Sequence, residues 1–168
     1  RLVKDLDERF VRAGWGRRAG IHKQLELHLL IGQIDAAKAL IPQWRALPRD
    51  CGSDCAACET DTLVEMLISM GDYREAVLAA RPITRGRLSC ATVPHSTFGK
   101  LLEPLIRLGA NDEAKDLYNR GRRLVAAMDE GGCRLASPYL LHAARLGEAE
   151  TAAGILRARL TQALGKRG

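Results

Sequence analysis

Four of the five cysteines lie in two short segments between helical patterns, with a spacing typical of a metal site. Cys55 and Cys58 form a Cys-x2-Cys pair preceded by Cys51, and Cys90 lies in the next such segment, followed by His95. Cys-x2-Cys lets two thiolates from one turn approach a single tetrahedral ion at about 2.3 Å. The second segment supplies another thiolate and an imidazole. The sequence therefore predicts a structural zinc site of Cys55, Cys58, Cys90 and His95, with Cys51 as the alternative fourth ligand.

Two other interpretations of these cysteines stay open. The first is a set of small buried thiols at the starts of helices. The second is a redox-active pair, because Cys58 lies near a predicted helix N-terminus, a position that favours the thiolate. A thioredoxin-like pair belongs to a βαβ unit, which the sequence lacks, and an odd cysteine count argues against a disulfide framework. Cys133 has no second ligand near it and is interpreted as a single free thiol.

A repeat of about 38 residues positions the two cysteine-bearing segments. Its turns are marked by glycines at steps of 39, 38 and 38 residues, each followed five residues later by alanine: Gly32, Gly71, Gly109 and Gly147. A fixed period in this range is typical of an array of helical hairpins. Cys55 and Cys90 lie 16 and 19 residues before the glycines of their own repeats. Since stacked helices lie about 8–10 Å apart, we expect zinc to join the second hairpin to the third.

Apolar residues recur at helical spacing along the chain, and no segment alternates with a period of two for long enough to indicate a strand. Aromatic residues make up only 4% of the sequence, which favours helices packed through alanine and leucine over a β-sandwich. The sequence therefore predicts an all-α fold, a right-handed α-solenoid of about four hairpins. The expected parts are a capping helix within 1–19 and hairpins at 20–47, 55–86, 95–127 and 137–164. We assign them to one domain, 1–168, and expect a piece of a longer chain because the sequence begins with Arg.

Glycine and proline mark several expected helix ends. Gly86 stands where a left-handed C-terminal cap belongs, and Gly20 is expected to interrupt the helical pattern. Ser137 followed by Pro138 predicts a helix start, with an N-cap followed by proline at the first helical position.

The turns of these hairpins resemble those of tetratricopeptide repeats. The resemblance is carried by Gly-Asp-Tyr-Arg-Glu-Ala at 71–76, by similar runs at 108–114 and 146–152, and more weakly by 32–37. Phe98, Leu101 and Leu102 take the family's apolar positions in a first helix. The resemblance covers residues 20–164 or so, and it implies stacked helical hairpins and a groove that binds a protein or peptide. The period exceeds the family's usual ~34 residues, and the extra length falls in the linkers 48–56 and 86–94.

The array also resembles zinc-containing repeat proteins of actinobacteria, which carry an Asp-Cys-x2-Cys and a Leu-Ser/Thr-Cys segment. Here Asp54 precedes Cys55, and Leu88-Ser89 precedes Cys90. This resemblance implies a bacterial protein. A zinc with four protein ligands would be structural, because no position is left open for water.

Carboxylates recur at one position of the repeat. Glu26, Glu65 and Glu103 each lie six residues before a turn glycine, a position that faces the concave groove in the tetratricopeptide family. Such a ladder would receive lysine or arginine side chains of an extended partner. The alternative interpretation is Lys–Glu pairing at i,i+3 within a helix, worth about 0.2–0.5 kcal/mol per pair. The other groove candidates are His22, Lys23, Asp61, Thr62, Lys100 and Arg107.

The sequence shows no catalytic set, since no nucleophile motif or phosphate-binding glycine loop is present. It favours a non-enzymatic scaffold or adaptor for a protein or peptide partner of basic character. One alternative is nucleic-acid binding through Arg120 to Arg123 and the C-terminal tail, in keeping with a net charge of +6. Another is a thiol redox protein using Cys55 and Cys58. No apolar run of about 18 residues and no secretory leader is present, so we expect a cytoplasmic protein without a membrane span.

Overall fold

A computed structural model describes residues 2–128 and 132–165. Within those ranges the chain forms nine α-helices and no strand, which confirms the predicted all-α fold. The helices are α1 (Leu2–Arg12), α2 (Arg18–Leu30), α3 (Ile34–Ala46), α4 (Ala56–Ser69), α5 (Tyr73–Thr84), α6 (His95–Arg107), α7 (Asn111–Ala126), α8 (Gly132–Arg145) and α9 (Ala149–Gly165). None of these described helices has the length and apolar character that crossing a bilayer requires.

Contacts divide the chain into two compact units, Arg1–Cys55 and Ala56–Gly168. The first unit contains α1 to α3 and the linker that follows them, and α2 packs on α3. The second contains α4 to α9, in which α4 packs on α5, α6 on α7, and α8 on α9. Successive helices therefore pack in pairs within each unit. Their arrangement as a four-hairpin solenoid in one domain stays a prediction.

Two residues after the first helix of each pair lies a glycine in the left-handed region. Gly32, Gly71, Gly109 and Gly147 have φ angles of 74°, 79°, 74° and 73°, a conformation that costs little only without a Cβ. After α4, the amide of Gly71 donates to the carbonyl of Ile68 and the next amide donates to Leu67, both at 2.9 Å. This pattern satisfies the last carbonyls of the helix.

Two other glycines bear on the predicted helix ends. Gly86, after α5, has a φ of 72°, so its predicted role as a left-handed cap is confirmed. The predicted interruption at Gly20 is wrong, because α2 begins at Arg18 and runs through this residue. A Cβ at position 20 would overlap the side chain of Asp7 on α1. The glycine is therefore explained by the close approach of α1 and α2.

The predicted helix start at Ser137 is also wrong, because α8 begins at Gly132. Pro138 lies inside the helix and lacks the N–H that would bond to the carbonyl of Arg134. The hydroxyl of Ser137 donates to that carbonyl instead, at 3.1 Å. The acceptor stays satisfied, and the helix continues through its proline.

The core of the second unit is formed by alanine and aliphatic side chains around Phe98 on α6 and Tyr139 on α8, both fully buried. The hydroxyl of Tyr139 donates to the carbonyl of His95. Its ring lies against Gly121 on α7, where a Cβ would overlap it. The hydrogen bond from Tyr139 to the His95 carbonyl ties α8 to the first turn of α6.

Candidate metal centre

Two segments of the chain bring the cysteines to one place. Cys55 immediately precedes α4, and Cys58 lies in the first turn of that helix. Cys90 lies between α5 and α6, where its amide donates to the carbonyl of Val93 at 2.9 Å. The helices that follow these segments, α4 and α6, are in contact.

The Sγ atoms of Cys55, Cys58 and Cys90 all lie within 4.8 Å of one another. Two sulfurs bound to one tetrahedral ion at about 2.3 Å are about 3.8 Å apart, so small side-chain rotations suffice to close the group around an ion. Cys55 and Cys90 are exposed and Cys58 is half-buried. The three thiols can therefore bind a metal ion, and thiolates favour zinc and softer ions over magnesium or calcium.

His95, the first residue of α6, is the predicted fourth ligand. Its side chain is only 6% exposed, and neither ring nitrogen has a hydrogen-bond partner among the described residues. Leaving a buried polar group unpaired costs about 1–3 kcal/mol, which a metal bond would remove. Burial lowers the pKa of His95, against an opposing effect of the Asp61 charge, and this favours the neutral imidazole that binds metals.

The close group itself contains three thiols and includes neither His95 nor Cys51. Cys51 is exposed. The choice of the fourth ligand therefore stays a prediction. The side chain of Cys133 lies outside the described residues.

Asp61 on α4 holds the first turn of α6 in place beside this group. Its carboxylate accepts hydrogen bonds from Ser96 Oγ at 3.0 Å, Thr97 Oγ1 at 2.6 Å and Lys100 Nζ at 2.7 Å. Sequence reasoning missed Ser96 and Thr97. The available signal was a pair of hydroxyl residues directly after His95, at a predicted helix start. These bonds join the two helices whose starts carry Cys58 and His95.

The predicted groove carboxylates of the second unit are engaged in ion pairs between helices. Lys100 Nζ contacts Glu65 as well as Asp61. Glu103 accepts from Arg107 at 2.8 Å and pairs with Arg145 of α8. Hydrogen bonds from these two arginines lower the pKa of Glu103. Lys100 therefore bonds across helices and not to Glu103 at i,i+3.

Four of the predicted groove residues line a polar cleft of about 360 Å³ in the second unit. They are Asp61, Thr62, Glu65 and Lys100, and residues of α8, including Arg134, line the same cleft. Arg107 instead pairs with Glu103 and lies over the ring of Tyr73, 5.5 Å from its centroid.

The remaining groove candidates lie on α2 in the first unit. Lys23 pairs with Glu26 at 2.8 Å, the i,i+3 contact of the alternative interpretation. His22 is buried and stacks on Trp44 with a centroid distance of 5.2 Å. Its Nδ1 lies 3.3 Å from the carboxylate of Asp54.

Comparison of the chain with models of protein families, with curated proteins and with solved structures finds no match. The resemblance to tetratricopeptide repeats therefore stays a prediction, and a function is argued from the geometry of the chain.

Proposed function

We propose that this chain is a non-enzymatic helical module whose Cys55, Cys58 and Cys90 hold a structural zinc ion, with His95 as the fourth ligand. The observation that supports this proposal most directly is the proximity of three thiols from two separate segments. The buried imidazole without a partner supports the fourth ligand. Sulfur-rich sites with four protein ligands are typical of structural zinc.

The ion would tie the linker before α6 to the start of α4. Residues 85–92 of that linker are mostly exposed, and Val93 near its end is buried in the core. The ion would therefore hold the exposed part of the linker, which contains Cys90. Structural zinc contributes its binding free energy to folding, about 10–16 kcal/mol in zinc-finger peptides. With four protein ligands the ion has no open position for water, and its role is to stabilise this part of the fold.

Cobalt(II) titration of ligand variants tests this proposal, with the thiolate-to-cobalt absorption as the signal. Cys90→Ser and His95→Gln should each weaken cobalt binding by more than about tenfold, because even a residue that only orients a ligand is worth about 10–100-fold. Cys51→Ser is the matched control and should leave the affinity unchanged. Wild-type affinity in Cys90→Ser would contradict the metal centre. If Cys51→Ser weakens cobalt binding and His95→Gln leaves it unchanged, the fourth ligand is Cys51 and not His95.

We further propose that the module binds a protein or peptide with basic side chains at the polar cleft. Glu65 supports this because its side chain is 59% exposed and keeps carboxylate surface available. Lys100 and Arg145 already neutralise Glu65 and Glu103 in the free chain. A basic partner must therefore compete with them, which predicts an affinity that falls as salt is added.

Fluorescence anisotropy with a labelled lysine-rich peptide tests the partner proposal. The variant Glu65→Lys should weaken binding by at least about tenfold, since facing like charges cost several kcal/mol. Glu75→Lys, on the exposed surface of α5, is the control. An equal effect of the two changes would place the binding surface elsewhere.

A further inference from the structure

A cavity of about 500 Å³ lies in the second unit, at the other end of α6 from His95. It is formed by the last turns of α6 and α8, the first turns of α7, and the turn before α9. Its volume lies within the roughly 300–1,000 Å³ of small-molecule sites. None of Cys51, Cys55, Cys58 and Cys90 lines it.

His142 of α8 is the unusual residue in the wall of this cavity. The residue is only 6% exposed, and its ring packs on Tyr118 at a centroid distance of 4.7 Å. No described residue forms a hydrogen bond with its imidazole, which lines the cavity. Burial lowers the pKa of His142, while the Glu148 charge opposes and the Arg145 charge adds to this effect. The neutral ring has one donor and one acceptor, and both lack a partner among the described residues.

The wall also carries charged groups of both signs. Lys115 and Asp112, both exposed, make no ion pair or hydrogen bond to a described residue. The other two charged groups are occupied, since Arg145 pairs with Glu103 and Glu148 accepts from the Tyr118 hydroxyl at 3.2 Å. One cation and one carboxylate of the described wall are thus available to a ligand.

Two more features of the wall, the start of α7 and an apolar surface, indicate which ligands the cavity can bind. Ala110, the N-cap of α7, gives no side-chain cap, so the first-turn amides of this helix stay available to an anion. Ile106 and Leu146 supply apolar surface, and Leu146 is 54% exposed. The imidazole of His142 is the independent sign of a ligand, because it lines the cavity, is only 6% exposed and has no hydrogen-bond partner among the described residues.

We propose that this cavity binds a small zwitterion with an aliphatic side chain, of the class of free α-amino acids such as leucine. The carboxylate faces Lys115, the start of α7 and the imidazole of His142. The ammonium group faces Asp112, and the aliphatic group lies on Ile106 and Leu146. A plain carboxylate would leave Asp112 unpaired, and a plain amine would leave Lys115 unpaired. The mixed wall therefore selects against ligands with a single charge.

NMR titration of the metal-loaded chain tests this inference, with the Cε1–Hε1 signal of His142 assigned by its loss in His142→Gln. Leucine should shift this signal saturably below about 10 mM, where a ligand of millimolar Kd is nearly saturating. The matched probes are 4-methylpentanoate, which lacks the amine, and 3-methylbutylamine, which lacks the carboxylate. Each should bind at least about fivefold more weakly than leucine.

Variants locate the binding site. Lys115→Gln and Asp112→Asn should each weaken leucine binding by about fivefold or more, while Arg74→Gln, exposed on α5, should not. Circular dichroism checks that each variant keeps its helices. A His142 signal that leucine leaves unmoved would overturn the proposal. If either single-charge probe binds as tightly as leucine, the cavity does not select for a zwitterion and the proposal is contradicted.

Discussion

At position 121 the lack of a side chain decides how closely α7 meets α8. The Tyr139 ring occupies the space that a Cβ of residue 121 would take, and its hydroxyl donates to the carbonyl of His95. Gly154 on α9 has no atom within 4 Å of the corresponding point. Two helical glycines thus differ in physical role, and sequence alone gives no sign of the difference. They are distinguished only by the residue that packs against each one, Tyr139 at position 121 and no atom within 4 Å at position 154.

Gly121→Ala should therefore destabilise the chain by about 1–3 kcal/mol, the usual cost of overpacking a core. Gly154→Ala is the matched control and should stabilise by about 0.5–1 kcal/mol, because alanine replaces glycine in an open helical position. Denaturant unfolding at a fixed metal concentration measures both. Equal shifts of the two unfolding midpoints would show that Tyr139 does not fill the space beside position 121.

Among the helices, those with local end signals were predicted best. α3 begins at Ile34 and α7 at Asn111, each two residues after one of the predicted turn glycines. The start of α8 was predicted wrongly, since the Ser137-Pro138 pair imitates an N-terminus. Whether such a pair begins a helix or lies within one depends on whether another donor satisfies the carbonyl of Arg134.

Contacts between helices were not predictable from periodicity. Asp61 and Lys100 could be placed on one face, but the register that makes Lys100 bond to α4 depends on how α4 and α6 pack. In the folded chain the Lys100 side chain is 25% exposed and bridges Asp61 and Glu65. This bridge is a tie between the two helices that carry the metal ligands.

Lys100→Ala should lower the free energy of unfolding by about 1–2 kcal/mol, since a charged hydrogen bond that is partly shielded from water is lost. Ser96 and Thr97 still donate to Asp61 in the variant, which limits the loss. Arg157→Ala is the control, because the pair of Arg157 with Glu150 spans 3.9 Å between exposed groups. This variant should lower the free energy of unfolding by less than about 0.5 kcal/mol. A loss no larger than that of the control would show that the bridge does not stabilise the helix pair.

For the whole molecule, composition and period predicted the all-α class, and the repeat predicted that Cys55, Cys58 and Cys90 would meet. Both predictions are confirmed. The meeting was predictable because it depends only on cysteines at corresponding places in successive hairpins. The fourth ligand was not predictable, because no pattern in the sequence decides whether His95, at the start of α6, or Cys51, in the linker before α4, completes the site.

The central claim is that the three thiols hold one structural metal ion. Elemental mass spectrometry of the chain, produced without added metal, should find about one zinc per chain. Removal of zinc by a chelator should lower helicity, because metal binding is coupled to folding. A chain with no zinc, full helicity and five titratable thiols would contradict the claim.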